Sequence, residues 1–212
     1  MPVRATAQYP VNLVLEGRPV LLVGGGTVAL RKAEGLAATG ALVTVVAPAV
    51  DPGFDRLPGV TVHRRRYEAG EAGTGGYRLV LAATDDRSVN QAVHDDADAA
   101  GVWVNSADDP DRCTFTLPAV VRRGPLLLSV GTGGHSPAVA SWVRQRLESE
   151  YGPEYEVLIR LMAEERAAVR SEGRSTEGLA WQSALESDML SLIRGGRISE
   201  ARERLKTCLS SS

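Results

Sequence analysis

Short, branched, wholly apolar runs alternate along this chain with longer segments whose apolar residues recur at helical spacing. Pro19–Val23 (PVLLV) stops at Gly24-Gly25-Gly26 and reads as a strand buried on both faces. Residues 28–39 then place Val28, Ala29, Ala33, Leu36 and Ala37 on one stripe, predicting an amphipathic helix. Gly40 suits its C-terminal stop. Residues 42–47 (LVTVVA) predict a second strand halted by Pro48, and the alternation over 60–65 predicts a third. Residues 79–83 (LVLAA) predict a fourth strand, 88–100 a helix and 102–105 a fifth strand, while the glycine-rich stretch 68–77 reads as a loop. Strand–helix alternation of this length implies a parallel sheet, hence an α/β, Rossmann-type domain.

Beyond residue 112 the pattern changes. Residues 114–121 and 125–130 are two strand-like runs around Arg122-Arg123-Gly124, which predicts a hairpin. Ser136-Pro137 matches an N-cap followed by proline at the first helical position, opening a helix to about Tyr151. Of the 22 glycines, 18 lie at or before Gly152, and the last of the 11 prolines is Pro153. The chain beyond Pro153 is free to run as helices, expected over 154–172, 178–193 and 197–208. The expected organisation is a Rossmann domain over 1–112, a small strand–helix dimerisation and substrate-loop region over 113–151, and a helical tail over 152–212.

Composition narrows the function classes. With 24 basic and 26 acidic residues the formal charge is −2, against the basic balance usual for nucleic-acid binding. No apolar run approaches the roughly 20 residues of a membrane span, and the N-terminus lacks a secretory pattern, so a cytoplasmic protein is expected. Cys113 and Cys208 form no C-x-x-C, and His63, His94 and His135 have no ligand spacing, so no standing metal site is expected.

Gly24-Gly25-Gly26-Thr27-Val28-Ala29 fits G-x-G-x-x-A between a strand and a helix. In that context Gly24 permits the tight turn, Gly26 lets the backbone approach a pyrophosphate, and the small Ala29 brings helix and strand close. The N–H groups at Thr27 and Val28 then face the phosphates. The acid that commonly binds the adenosine ribose is missing at the end of the second strand, where Ala47-Pro48-Ala49 stands; Asp51 lies past the proline. The ribose is left to backbone groups around Pro48 and Ala49, and without an arginine cluster there NAD is favoured over NADP.

Four motifs, GGGTVALRK (24–32), AATDD (82–86), NSADDP (105–110) and TGGHSP (132–137), occur in this order. Together they resemble the precorrin-2 dehydrogenase/sirohydrochlorin ferrochelatase family of siroheme synthases, in its stand-alone form, over roughly residues 8–170. The resemblance implies a homodimer in which NAD oxidises precorrin-2, a tetrapyrrole, to sirohydrochlorin; some members then insert ferrous iron. It makes Asp108 of Asn105-Ser106-Ala107-Asp108 the acid linked to both steps, and Asn105 is expected to bind the substrate. A carboxylate after a parallel strand lies where such cofactors bind and can accept a proton. Physics alone does not rank Asp108 over Asp109, and an aspartate before Pro110 also suits turn capping. The resemblance assigns Thr84 and Asp85 to the cofactor, although both residue types also cap helices. It also implies tetrapyrrole contact by Thr132, Gly133, His135, Ser136 and Pro137, where a glycine-rich turn and a helix start suit a carboxylate. His135 departs from the hydroxyl-bearing residues also found there in relatives, and a lone histidine equally suits a structural or solvent-facing place. The 114–130 segment is the expected dimer contact.

Lysine is scarce, with only Lys32 and Lys206, so 22 of the 24 basic residues are arginine. Lys32 reads first as part of a solvated helix face, with a role for its compact ammonium as the alternative. Arg64-Arg65-Arg66 and Arg122-Arg123 suit a rim for a polycarboxylate, or plain solvated edges. A Rossmann redox sensor that binds NAD without catalysis is the competing function, and it needs no proton acceptor in the crevice.

Overall fold

A computed structural model describes residues 8–107 and 109–210, in two compact units that meet in sequence at Leu117 and Pro118. The first unit is built on a five-stranded parallel sheet of β1 (Pro19–Val23), β2 (Leu42–Val46), β3 (Val60–His63), β4 (Leu79–Ala82) and β5 (Trp103–Ser106). Its order, β3-β2-β1-β4-β5, reverses direction at β1. Alternation along β1 explains its wholly apolar sequence. Val20 and Leu22 join Val43, Val45, Leu79 and Leu81 on one face, against Ala29, Ala33 and Leu36 of α1 (Thr27–Ala37). Leu21 and Val23 face the other way, with Val80, Ala82 and Val104, onto Ala72, Val93 and Ala97. Ala72 belongs to a one-turn helix, α2 (Glu71–Thr74), and Val93 and Ala97 to α3 (Arg87–Ala99).

The sequence pattern missed α2, which lies within the stretch 68–77 expected to be a loop. Its start is held from a distance: Tyr67 Oη donates to Asp96 Oδ2 (2.6 Å), Gly70 N–H donates to the same oxygen (2.6 Å), and Ala72 N–H donates to Tyr67 Oη (3.0 Å). Burial, then the Asp96 carboxylate, pushes the Tyr67 hydroxyl well above its usual value.

The second unit opens with an antiparallel hairpin, β6 (Ala119–Arg123) and β7 (Leu126–Val130), turning at Gly124-Pro125 with Gly124 at φ +55°. The expected run over 114–121 thus enters a strand only at Ala119. Next come α4 (Pro137–Glu150) and α5 (Glu154–Ser171). Arg123 closes the end of α4 by donating to the carbonyls of Tyr151 (2.8 Å) and Glu148 (3.1 Å). The single helix expected over 178–193 is two, α6 (Trp181–Glu186) and α7 (Met189–Arg194), followed by α8 (Ile198–Ser210). Leu158, Leu161, Met189, Leu192, Ile193, Leu205 and Leu209 form their common core. Among the described residues no helix is long and apolar enough to cross a membrane.

Candidate active site

The carboxyl ends of β1 and β4 flank the point where strand order reverses, which is where an open α/β sheet leaves a crevice. The glycine turn sits there under tight constraint. Gly24 has φ +130°, and a Cβ on it would run into the Ala83 carbonyl. A Cβ on Gly25 would run into the Ala49 carbonyl. Gly26 differs, because its Cβ would meet no protein atom within 4 Å.

Gly26 caps α1 with extended backbone and no side-chain hydrogen bond to the helix start. Thr27 and Val28 are exposed beside it. Among the described residues no side chain caps the first N–H groups of α1, and the open space at Gly26 suits a diphosphate. This arrangement fits a dinucleotide on its own geometry.

At the end of β2, Pro48 and Ala49 are exposed, as a backbone-lined ribose site requires. Asp51 is engaged locally: its Oδ1 accepts from Gly53 N–H (2.8 Å), while its own N–H donates to the Gly25 carbonyl (2.8 Å). The register sets His63 beside Val46, so β3 brings a histidine and then Arg64 towards this end of the sheet. Sequence spacing did not reveal that proximity.

Thr84 is held by a buried asparagine. Its Oγ1 lies 2.8 Å from Asn90 Oδ1, its N–H donates to the same oxygen (3.2 Å), and Asn90 Nδ2 donates to the Thr84 carbonyl (3.0 Å). The cap of α3 is neither Thr84 nor Asp85 but Asp86, whose Oδ1 accepts from the N–H groups of Ser88 (2.8 Å) and Val89 (3.3 Å). Hydrogen bonds from Ser88 and Val89 hold its carboxyl below the usual range. Asp85 is left exposed beyond the end of β4.

Beyond β5 lies the segment carrying the expected acid. Asp108 is outside the described residues. Asp109 works within its own turn: its Oδ1 accepts from Asp111 N–H (3.0 Å), capping the single turn Pro110–Arg112, and Oδ2 lies 3.5 Å from Arg112 Nε. Arg112 Nη1 is buried without a hydrogen-bond partner among the described residues. Cys113 folds this segment back, with its sulfur accepting from Ser106 N–H (3.3 Å) and lying 3.3 Å from the carbonyls of Ser106 and Asp109.

Asn105, the expected substrate contact, faces inward and is 7% exposed. Its Oδ1 accepts from Lys32 Nζ (2.9 Å), and its Nδ2 donates to the Phe115 carbonyl (3.0 Å) and approaches Cys113 Sγ (3.5 Å). Lys32 is therefore not part of a solvated face, contrary to its first reading: α1 turns it inward, and burial lowers its pKa from the usual lysine value.

The 132–137 turn lies in the second unit. Thr132 closes it, with Oγ1 donating to the Ser136 carbonyl (3.1 Å) and accepting from Ser136 N–H (3.2 Å). Gly133 and Gly134 both adopt positive φ. Ser136 caps α4 through Val139 N–H (3.2 Å), with Pro137 at the first helical position, as expected. His135 is exposed.

Comparison with known proteins agrees with this geometry. A family model described as "Putative NAD(P)-binding" matches residues 11–119. A siroheme synthase of Psychrobacter arcticus is 35% identical over 207 residues, covering 96% of this chain and 38% of that protein. One from Methylococcus capsulatus is 40% identical over 200 residues, covering 92% and 42%. Siroheme synthase 2 of Aeromonas salmonicida is 45% identical over 141 residues, covering 66% and 29%. The chain thus spans about two fifths or less of the length of these curated relatives. Among solved structures, "SirC, precorrin-2 dehydrogenase" superposes with a TM-score of 0.68 at 27% identity, covering 95% of this chain and 98% of that one. The resemblance drawn from the four ordered motifs is borne out.

Proposed function

This chain belongs to the NAD(P)-binding family whose model spans its sheet unit, and from that premise we propose that it dehydrogenates precorrin-2 to sirohydrochlorin, on the path to siroheme, with NAD as oxidant. The observation that carries the reading is the likeness to the precorrin-2 dehydrogenase SirC along almost the whole of both chains. The open start of α1 at the strand reversal supports it independently.

When bound, the nicotinamide supplies the hydride acceptor. The chain's own work is to hold the dinucleotide, hold the substrate and take up the proton released with the hydride. Gly24, Gly26, Thr27 and Val28 receive the diphosphate, Pro48 and Ala49 border the ribose, and Thr84 and Asp85 border the nicotinamide side. Asp108 is the proposed proton acceptor, and Asp109 keeps the turn beside it closed. Arg112 Nη1, buried and without a hydrogen-bond partner among the described residues, is proposed as a donor to a substrate carboxylate. The Thr132–Pro137 turn, with His135 exposed on it, is proposed as a second carboxylate contact.

Ferrous iron enters this reading as a substrate. Among the described residues no group of three or more His, Cys, Asp or Glu is placed to hold a metal ion. A homodimer is part of the proposal, supported by the exposed Val120, Val139 and Trp142 on the hairpin and α4. A cytoplasmic setting completes it.

The test is anaerobic absorbance of the chain with enzymatically generated precorrin-2 and NAD, with NADP in parallel and Asp108→Ala alongside. The expected result is NAD-dependent appearance of the sirohydrochlorin spectrum, lost in the variant; ferrous iron added afterwards reads chelation. Cofactor binding without spectral change would overturn the proposal and leave a sensor.

A further inference from the structure

Lys32 is costly where it stands. A lysine on the outer face of α1 would keep its ammonium in water, yet this one is turned inward and forms no ion pair among the described residues. Burial is the main cause of its lowered pKa; the neighbouring Arg31 adds to the fall, and Cys113 opposes it. Its hydrogen-bond partner is a neutral amide oxygen on β5, 73 residues away in sequence.

That bond has a directional consequence. An asparagine amide presents one acceptor end and one donor end. With the ammonium fixed on Oδ1, Nδ2 is committed to the Phe115 carbonyl and the Cys113 sulfur. Phe115 and Cys113 lie on the far side of the segment that leaves β5, so orienting this one amide ties the exit of the segment to its return. Lys32 itself stands on α1, the helix whose start receives the diphosphate. A single contact thus connects the helix that holds the cofactor with the segment that delivers the acid.

We propose that Lys32 is a positioning residue for dehydrogenation: through Asn105 it sets the segment after β5 relative to the cofactor helix. The inference rests on the function proposed above. It assigns Lys32 no contact with substrate or cofactor.

The experiment uses the full chain with Lys32→Met, Lys32→Arg, Asn105→Ala and the Lys32→Met/Asn105→Ala pair. Lys32→Met should bind NAD within about twofold of the parent and keep its KM for precorrin-2 within about threefold, while kcat falls at least about tenfold, as small misplacements of reacting groups do. Because both residues act along one path, the double variant should be no slower than Asn105→Ala alone. Lys32→Arg, which keeps the charge but not the compact head, should recover part of kcat. Amide hydrogen exchange gives a reading independent of activity: Lys32→Met should speed exchange over 109–115 and leave α1 unchanged.

Unchanged kcat in Lys32→Met, or rate losses that add fully in the double variant, would overturn the inference. So would parallel losses of melting temperature, NAD affinity and kcat, which would mark a merely structural residue. If the parent chain binds NAD but does not oxidise precorrin-2, the functional reading fails instead. The exchange measurement then still decides whether Lys32 sets the segment.

Discussion

Replacing Gly26 by alanine separates what the protein needs from what the cofactor needs. Gly26 has φ −80° and ψ −175°, which alanine adopts freely, and the new methyl meets no protein atom within 4 Å. Glycine outranks alanine as a helix cap by about 0.5–1 kcal/mol. Against this, a glycine-to-alanine change at a compatible site returns about 0.4–1 kcal/mol by restricting the unfolded chain. The two nearly cancel, so the melting temperature should move by no more than about 4 °C. The same methyl would occupy the space in front of the first N–H groups of α1. Losing one hydrogen bond to a charged phosphate forfeits about 1.5–3 kcal/mol, which is a tenfold or greater rise in Kd. The assay pairs thermal melting of the cofactor-free protein with calorimetric titration of NAD. Gly25→Ala is the contrast, since its methyl would strike the Ala49 carbonyl and lie 2.9 Å from Val50 Cα; it should lose both stability and binding. A Gly26→Ala protein that melts like the parent and binds NAD with unchanged affinity refutes the placement of the diphosphate.

Two further predictions concern stability. Glu71 accepts two hydrogen bonds from Arg65 (3.0 and 2.6 Å), and that guanidinium is the leading cause holding its carboxyl below the ordinary 4.5. Its folded value is the lower one, so its contribution is complete above the unfolded value and fades as pH falls through the folded one. Amide exchange over 70–75 should therefore accelerate, relative to the intrinsic rate, below about pH 4; Arg65→Ala should weaken that pH dependence, and an undiminished dependence would count against the pairing. In the helical unit, Leu205 is fully buried. Leu205→Ala should cost about 2–5 kcal/mol, visible as earlier loss of helical circular dichroism, and a cost below about 1 kcal/mol would mean that this core is not packed as described.

The sheet and its glycine turn were legible because local and global signals agree there. A five-residue, branched run without polar residues that ends in glycines favours a two-faced strand entering a tight turn, and Val20, Leu21 and Leu22 are indeed fully buried. What escaped was decided at long range. Glu71–Thr74 is helical because Asp96, on a different helix, holds Tyr67 and Gly70; no window around 68–77 contains that information. The break between α6 and α7 has neither proline nor glycine to announce it. It occurs at Ser187, which takes extended backbone while its hydroxyl donates to the Ala184 carbonyl (2.6 Å). Lys32 resembled a surface charge because its partner, Asn105, is on a strand that joins the sheet much later. At the site, motif order identified the segments, but which aspartate caps which turn depended on backbone geometry, as Asp86 and Asp109 illustrate.

The central place of β1 has a consequence for how the chain reaches this structure. β1 pairs with β2 about 20 residues on, but its other edge waits for β4, with Val20 opposite Leu79. As the chain emerges from the ribosome, PVLLV therefore carries a bare apolar edge until nearly sixty more residues have joined it. The loop closure behind that pairing is entropically dear, and parallel sheets with such separations fold slowly. The helical unit, whose contacts are nearer in sequence, is under no such delay. Nascent-chain protection by a chaperone would matter most while residues between β1 and β4 are being made, and aggregation on refolding would start from β1.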